Sequence, residues 1–238
     1  MRKIRKTFIL FCATVLFMGG YGVYMIASGS QIDFEMPIGN PPFVGRIEPS
    51  YSPAERSPVD FYLGLDNDFL LLVNKEHAAP ADLTGNLVKA SDYVKTLNPE
   101  MLLNESALAA LTIMFEAAAE VGFTDFRATA GFRTYEQQRE LYEKAVDKSF
   151  VAPPGHSEHQ TGLAVDISYH GVNIGNSVQG NWLMENSYKY GFILRYPEGK
   201  TDITGFSFEP WHYRFVGVEH AGFVFENDLV LEEYVKQL

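Results

Sequence analysis

The chain has 238 residues, a formal net charge of −11, 46% hydrophobic and 21% charged residues, and one cysteine. These proportions exclude a wholly disordered or collagen-like chain. The acidic balance argues against a nucleic-acid-binding surface, and a single cysteine excludes a disulfide framework or a four-cysteine zinc site.

Residues 1–6 hold Arg2, Lys3, Arg5 and Lys6, and residues 7–30 are uncharged. The run FILFCATVLFMGGYGVYMIA matches the roughly 20 apolar residues that cross a bilayer as a helix. The basic end favours the cytoplasm and sends the rest outside. Residues 1–30 therefore read as a cytoplasmic end plus a single-pass membrane anchor, with the remainder extracytoplasmic. Ala27, Ser28 and Gly29 keep a cleaved signal peptide open as the alternative. Cys12 lies in this run, so the exported part has no thiol. Residues 31–66 contain six of the 12 prolines and no sustained apolar period, the pattern of an extended spacer.

A single domain is expected over 67–238. FLLLVN (69–74) reads as a short buried strand. SALAALTIMFEAAAEVG (106–122) has the helical apolar period and stops at Gly122. FRATAG (126–131) reads as a strand, and Thr134 and Gln137 have capping-box spacing for a helix over 135–147. LAVDIS (163–168) follows the break at Pro153, Pro154 and Gly155 as a core strand. WLMENSYKYG (182–191) reads as a helix closed by Gly191, FILRY (192–196) and WHYRFV (211–216) as strands, and two short helices follow. The order points to an α+β fold with a small, mostly antiparallel sheet and flanking helices.

The chemistry concentrates in PGHSEHQTGLAVDI (154–167) and EPWHYR (209–214). His159, Asp166 and His212 supply two imidazoles and a carboxylate, and Glu209 stands nearby. A catalytic zinc takes three such ligands and keeps a fourth position for water. Asp166 lies in an otherwise apolar strand, where an ionised carboxylate is costly unless paired or metal-bound. Pro210 favours an extended Glu209, so no helix presents Glu209 and His212 together. Spacing alone leaves the alternative open: His159 capping a turn and His212 as a hydrogen-bonded strand histidine. Ser157 lacks the second glycine of a nucleophile elbow, and a serine-hydrolase reading finds no support.

SEHQTGLAVDIS, EPWHYRFVG downstream and GFRTYEQQRELY (131–142) upstream together resemble the VanY family of zinc D,D-carboxypeptidases. The likeness covers about residues 67–238, opening at LLLVNKEHAAPADL (70–83). It implies the zinc-peptidase fold shared with Hedgehog and D,D-peptidases, with His159, Asp166 and His212 holding one Zn2+. It implies Glu209 as the base that takes a proton from the attacking water, and Arg133 facing the scissile carbonyl. Gln138 and Ser157 match positions that meet the substrate's terminal carboxylate. Phe132 and Thr134 stand where tyrosine and serine are more usual, and His156 is not required. The implied partner is a peptidoglycan stem peptide ending in D-Ala-D-Ala, cut without an acyl-enzyme, and the implied setting includes glycopeptide resistance. L,D-carboxypeptidases share the same blocks, and a non-catalytic zinc-binding module has the same fold. Such a module would typically lose the base or the arginine, and both Glu209 and Arg133 are present here.

Overall fold

The computed structural model describes residues 67–80, 86–175 and 177–238. The expected anchor (1–30) and spacer (31–66) lie outside the described residues. Among the described residues, no helix is long and apolar enough to cross a membrane.

The architecture is α+β with antiparallel sheets. Strands β1 (Leu87–Lys89) and β2 (Leu102–Asn104) pair antiparallel, Leu87 opposite Asn104. Asn104 then caps α1 (Glu105–Glu120), its side chain accepting from the amides of Ser106 and Ala107, which satisfies donors that a helix N-terminus leaves open. Ala107, Ala110, Leu111, Met114 and Ala118 are buried at helical spacing. Each large member of that stripe contributes about 1.5–3 kcal/mol of burial.

The second sheet holds β3 (Phe126–Ala130), β4 (Ala164–Tyr169), β5 (Val172–Asn173), β6 (Phe192–Leu194) and β7 (His212–Phe215). Its order is β3-β4-β7-β6, all antiparallel, with β5 folded back on β4. Val165 faces Tyr213 and Asp166 faces His212 across the β4–β7 ladder. Side chains alternate along a strand, so Val165, Ile167, Tyr213 and Phe215 fill the core while Asp166 and His212 share the opposite face. A register shift between Ala128 and Ala130 leaves Thr129 as an extra residue against β4, its hydroxyl donating to the Asp166 carbonyl at 3.2 Å. Such bulges bend a strand and re-aim the residues beyond them.

Helix α2 (Tyr135–Lys144) starts with the expected capping box: Thr134 accepts from the Gln137 amide and Gln137 accepts from the Thr134 amide. It ends three residues earlier than the sequence suggested. The expected helix over 182–191 begins sooner, as α3 (Val178–Asn186), and finishes in a 3-10 turn before Gly191 at φ +83°. Then come α4 (Thr201–Thr204), α5 (Val218–Glu226) and α6 (Leu231–Tyr234).

FLLLVN is not a strand. Asn67–Leu70 form a 3-10 turn and the next residues are irregular. The carbonyls of Phe69 and Leu71 accept from the buried Arg214 guanidinium, at 3.0 and 2.9 Å, instead of from a neighbouring strand. The run is apolar because it packs over the sheet, with Phe69 edge-on to Phe215.

Candidate active site

Three segments converge at one end of the β4–β7 pair. Residues 158–161 form a 3-10 turn and carry His159. Gly162 closes the turn at φ +72°, a left-handed conformation that favours glycine. The second segment is β4 with Asp166. The third is a tight turn over Glu209–His212: the His212 amide donates to the Glu209 carbonyl at 3.1 Å, with Pro210 in the bend. This turn, instead of a helix, sets Glu209 beside His212.

His159, Asp166 and His212 offer ligand atoms that all lie within 4.8 Å of one another. His159 Nε2 is 3.5 Å from Asp166 Oδ1, and His212 Nδ1 is 3.0 Å from the same oxygen. Zinc–ligand bonds of about 2.0–2.1 Å in a tetrahedron separate neighbouring ligand atoms by about 3.3–3.4 Å, so the donor set fits that ion. The far nitrogens are also committed. His159 Nδ1 donates to the Gly131 carbonyl at 2.8 Å, which leaves Nε2 free of its proton for a metal. His212 Nε2 lies 3.4 Å from Glu158 Oε2, which leaves Nδ1.

Gly131 is essential to this geometry. A Cβ there would sit 2.5 Å from the Leu102 carbonyl oxygen and 2.9 Å from Met101 Cγ. The following residues are tied down too: the Phe132 amide donates to Leu102 O at 2.7 Å and the Arg133 amide to His159 O at 3.1 Å. The G-F-R block thus supports His159 from behind and delivers Arg133 to the site.

An open pocket of about 110 Å3 is lined by the three possible ligands together with Arg133, Glu209 and Trp211. Gln138 and Ser157 line it as well, so every site residue expected from the sequence meets in one cavity. Glu209 is buried, and its Oε1 has no hydrogen-bond partner among the described residues. A buried, unpartnered carboxylate oxygen is unusual and suits a group that waits for a reactant. Gln138 is used more fully than the sequence suggested: its Oε1 accepts from Arg133 Nη1 and its Nε2 donates to Ala152 O, both at 2.6 Å. Ser157 is buried at the start of the His159 turn, and its side chain makes no cap bond there. His156 points elsewhere, with Nδ1 2.8 Å from Asn74 O.

Sequence reading missed the charged layer beneath the site. Glu158 is buried and takes Arg195 Nε at 2.7 Å and Arg214 Nη1 at 2.9 Å on one oxygen. Arg195 also grips Glu232 with two bonds, at 2.8 and 2.6 Å. Two acids and two arginines balance in charge, and removing one partner of such a group costs about 3–5 kcal/mol. The signal was present: Arg195 directly follows the apolar strand Phe192–Leu194 and Arg214 lies between Tyr213 and Phe215, where a guanidinium demands a buried partner.

The sequence model of the VanY family, described as D-alanyl-D-alanine carboxypeptidase, matches residues 100–218. The chain belongs to the VanY family. It is 40% identical over 183 residues to a D-alanyl-D-alanine carboxypeptidase of Enterococcus faecalis, covering 70% of this chain and 65% of that protein. Among solved structures, it resembles the LD-carboxypeptidase LdcB with a TM-score of 0.65 at 39% identity, over 71% of this chain and 86% of that one. It also resembles a point mutant of the vancomycin-resistance D,D-pentapeptidase VanY from a VanB-type cassette, in complex with Zn(II). There the TM-score is 0.61 at 38% identity, over 71% of this chain and 99% of that one. With these relatives and the His-Asp-His group, this VanY-family chain is a zinc metallopeptidase.

The electrostatics set a pH dependence for metal loading. In the metal-free fold, burial opposes charge on His212, but the hydrogen bonds to Asp166 and Glu158 outweigh it and raise its pKa from 6.5 to about 9. Burial raises Glu209 from 4.5 to about 7, with Asp166 and Glu158 adding to the rise against the pull of His212 and Arg133. Both groups hold protons more tightly folded than unfolded. The stability they add is fully present below their unfolded values and is lost as pH rises through about 7 and then about 9. A metal ion must displace the His212 proton, so it binds more tightly as pH rises. The melting temperature of the zinc-loaded protein should exceed that of the chelator-treated protein by a margin that widens from pH 6 to pH 9. One displaced proton gives roughly 3–5 °C per pH unit. A margin that shrinks with pH would contradict this protonation scheme.

Proposed function

We propose that this protein is a membrane-anchored, extracytoplasmic carboxypeptidase that removes the terminal D-Ala from peptidoglycan stem peptides ending in D-Ala-D-Ala. The observation that carries the reading is the meeting, in one pocket, of His159, Asp166 and His212 with Glu209 and Arg133. Zinc held by the first three supplies Lewis-acid activation of water and of the scissile carbonyl. Glu209 takes a proton from the attacking water, and the guanidinium of Arg133 faces the oxygen on which negative charge grows. The bond between the penultimate carbonyl carbon and the terminal nitrogen then breaks, and Glu209 returns its proton to the departing amine. Gln138 holds Arg133 in place and has one N–H left for the substrate's terminal carboxylate, with Ser157 alongside. The basic, then apolar, N-terminal sequence supports the anchor. Similarity to a vancomycin-resistance D,D-pentapeptidase supports a contribution to glycopeptide resistance.

A second reading, an L,D-carboxypeptidase acting on tetrapeptide stems, is favoured by the likeness to LdcB. Defined pentapeptide and tetrapeptide stems, incubated with the protein with and without a chelator and followed by mass, separate the two. The D,D reading expects loss of one alanine from the pentapeptide alone, abolished by chelation. Loss from the tetrapeptide alone would replace it with the L,D reading, and cleavage that survives chelation would sink both.

A further inference from the structure

We infer that Glu158 is a positioning residue for the metal site, fixing which nitrogen of His212 faces the ion and clamping that ring to both ends of the domain. The inference rests on His212 being a metal ligand.

The two nitrogens of an imidazole point in divergent directions. His212 Nδ1 is 3.0 Å from Asp166 Oδ1, on the side where the three possible ligands meet. Its Nε2 points away, 3.4 Å from Glu158 Oε2. Both nitrogens face carboxylates, which when ionised only accept hydrogen bonds, but Asp166 belongs to the ligand group and Glu158 does not. A metal on that side takes Nδ1 in place of its hydrogen, while Nε2 keeps its hydrogen on Glu158. Glu158 is thereby excluded as a ligand itself, since it lies behind the ring. Its other oxygen is shared by Arg195 and Arg214, and this holds the carboxylate ionised and still.

The two arginines carry the restraint outward. Arg214 Nη2 donates to the carbonyls of Phe69 and Leu71, near the start of the domain. Arg195 grips Glu232 in α6, near its end, and Asn74 Nδ2 donates to Glu232 at 3.1 Å. One buried carboxylate therefore links the His212 ring to Phe69 and Leu71 near one end of the domain and to Glu232 near the other. A carboxylate on the far nitrogen of a metal-binding imidazole also raises the ring's basicity, and losing it typically weakens metal affinity about 10–100-fold.

The test compares zinc affinity of the full chain, by competition with a chromogenic chelator, for the unchanged protein and for Glu158→Gln, Glu232→Gln and His212→Ala. Glu232→Gln removes an equal charge from the same buried group without touching the imidazole. The expected result is a 10–100-fold loss for Glu158→Gln, a change within about threefold for Glu232→Gln, and the largest loss for His212→Ala. Equal losses for the two Gln variants, or none for Glu158→Gln, would reduce Glu158 to a structural charge and overturn the inference. Unchanged affinity in His212→Ala would instead remove His212 from the metal site and take the inference with it. Should Glu158→Gln fail to fold, 15N spectra of the histidine-labelled, zinc-loaded unchanged protein decide. A protonated Nε2 and a metal-bound Nδ1 on His212 support the inference, and the reverse assignment overturns it.

Discussion

A Glu209→Gln protein should bind zinc as tightly as the unchanged protein and turn over about 10³-fold more slowly, the middle of the range for losing a general acid–base. The substitution keeps the size of the side chain, so the turn between Glu209 and His212 should survive. What disappears is the ability to accept a proton at an oxygen that is buried and has no other partner among the described residues. Glu209 Oε2 lies 3.9 Å from His212 Nδ1, outside the ligand group. Metal content should therefore hold while kcat collapses. Turnover within a few-fold of normal would remove Glu209 from the chemistry; loss of zinc would make it a ligand instead of a base.

His159→Ala should act in the opposite order, losing the ion first and activity as a result. In four-ligand zinc peptides a binding free energy of about 10–16 kcal/mol is roughly 2.5–4 kcal/mol for each protein ligand, or two to three powers of ten in affinity. The loss is sharpened because the Gly131 carbonyl gives up its partner at 2.8 Å. Zinc content after dialysis and stem-peptide turnover should both drop to background, and excess zinc should restore occupancy better than turnover. Normal zinc content in this variant would place the ion elsewhere.

The parts of the site that were legible in the sequence are those in which a residue's own chemistry creates the demand. Asp166 in an apolar strand needed a cation or partner, and the structure sets His159 and His212 within reach of it. The capping box at Thr134 was readable because the whole device lies within four residues. Long-range partnerships were not readable. FLLLVN has the composition of a strand, but its carbonyls answer to Arg214, about 145 residues away. The β1–β2 pair went unseen because three-residue strands carry too little alternation to register. Nothing next to Glu158 in the chain announces its role; only the tertiary fold brings Arg195 and Arg214 to it. Gln138 was legible as a pocket residue, while its grip on Arg133 shows only in the fold.

Because Asp166 and His212 stand opposite each other in a hydrogen-bonded ladder, and Gly131 braces His159 from behind, the polypeptide shapes the cation's seat by itself. Zinc fingers need their ion in order to fold; here the ladder and the Gly131 carbonyl should hold the three side chains in place on their own. Stripping the ion should leave a native-like apoprotein that accepts zinc or cobalt again without passing through an unfolded chain.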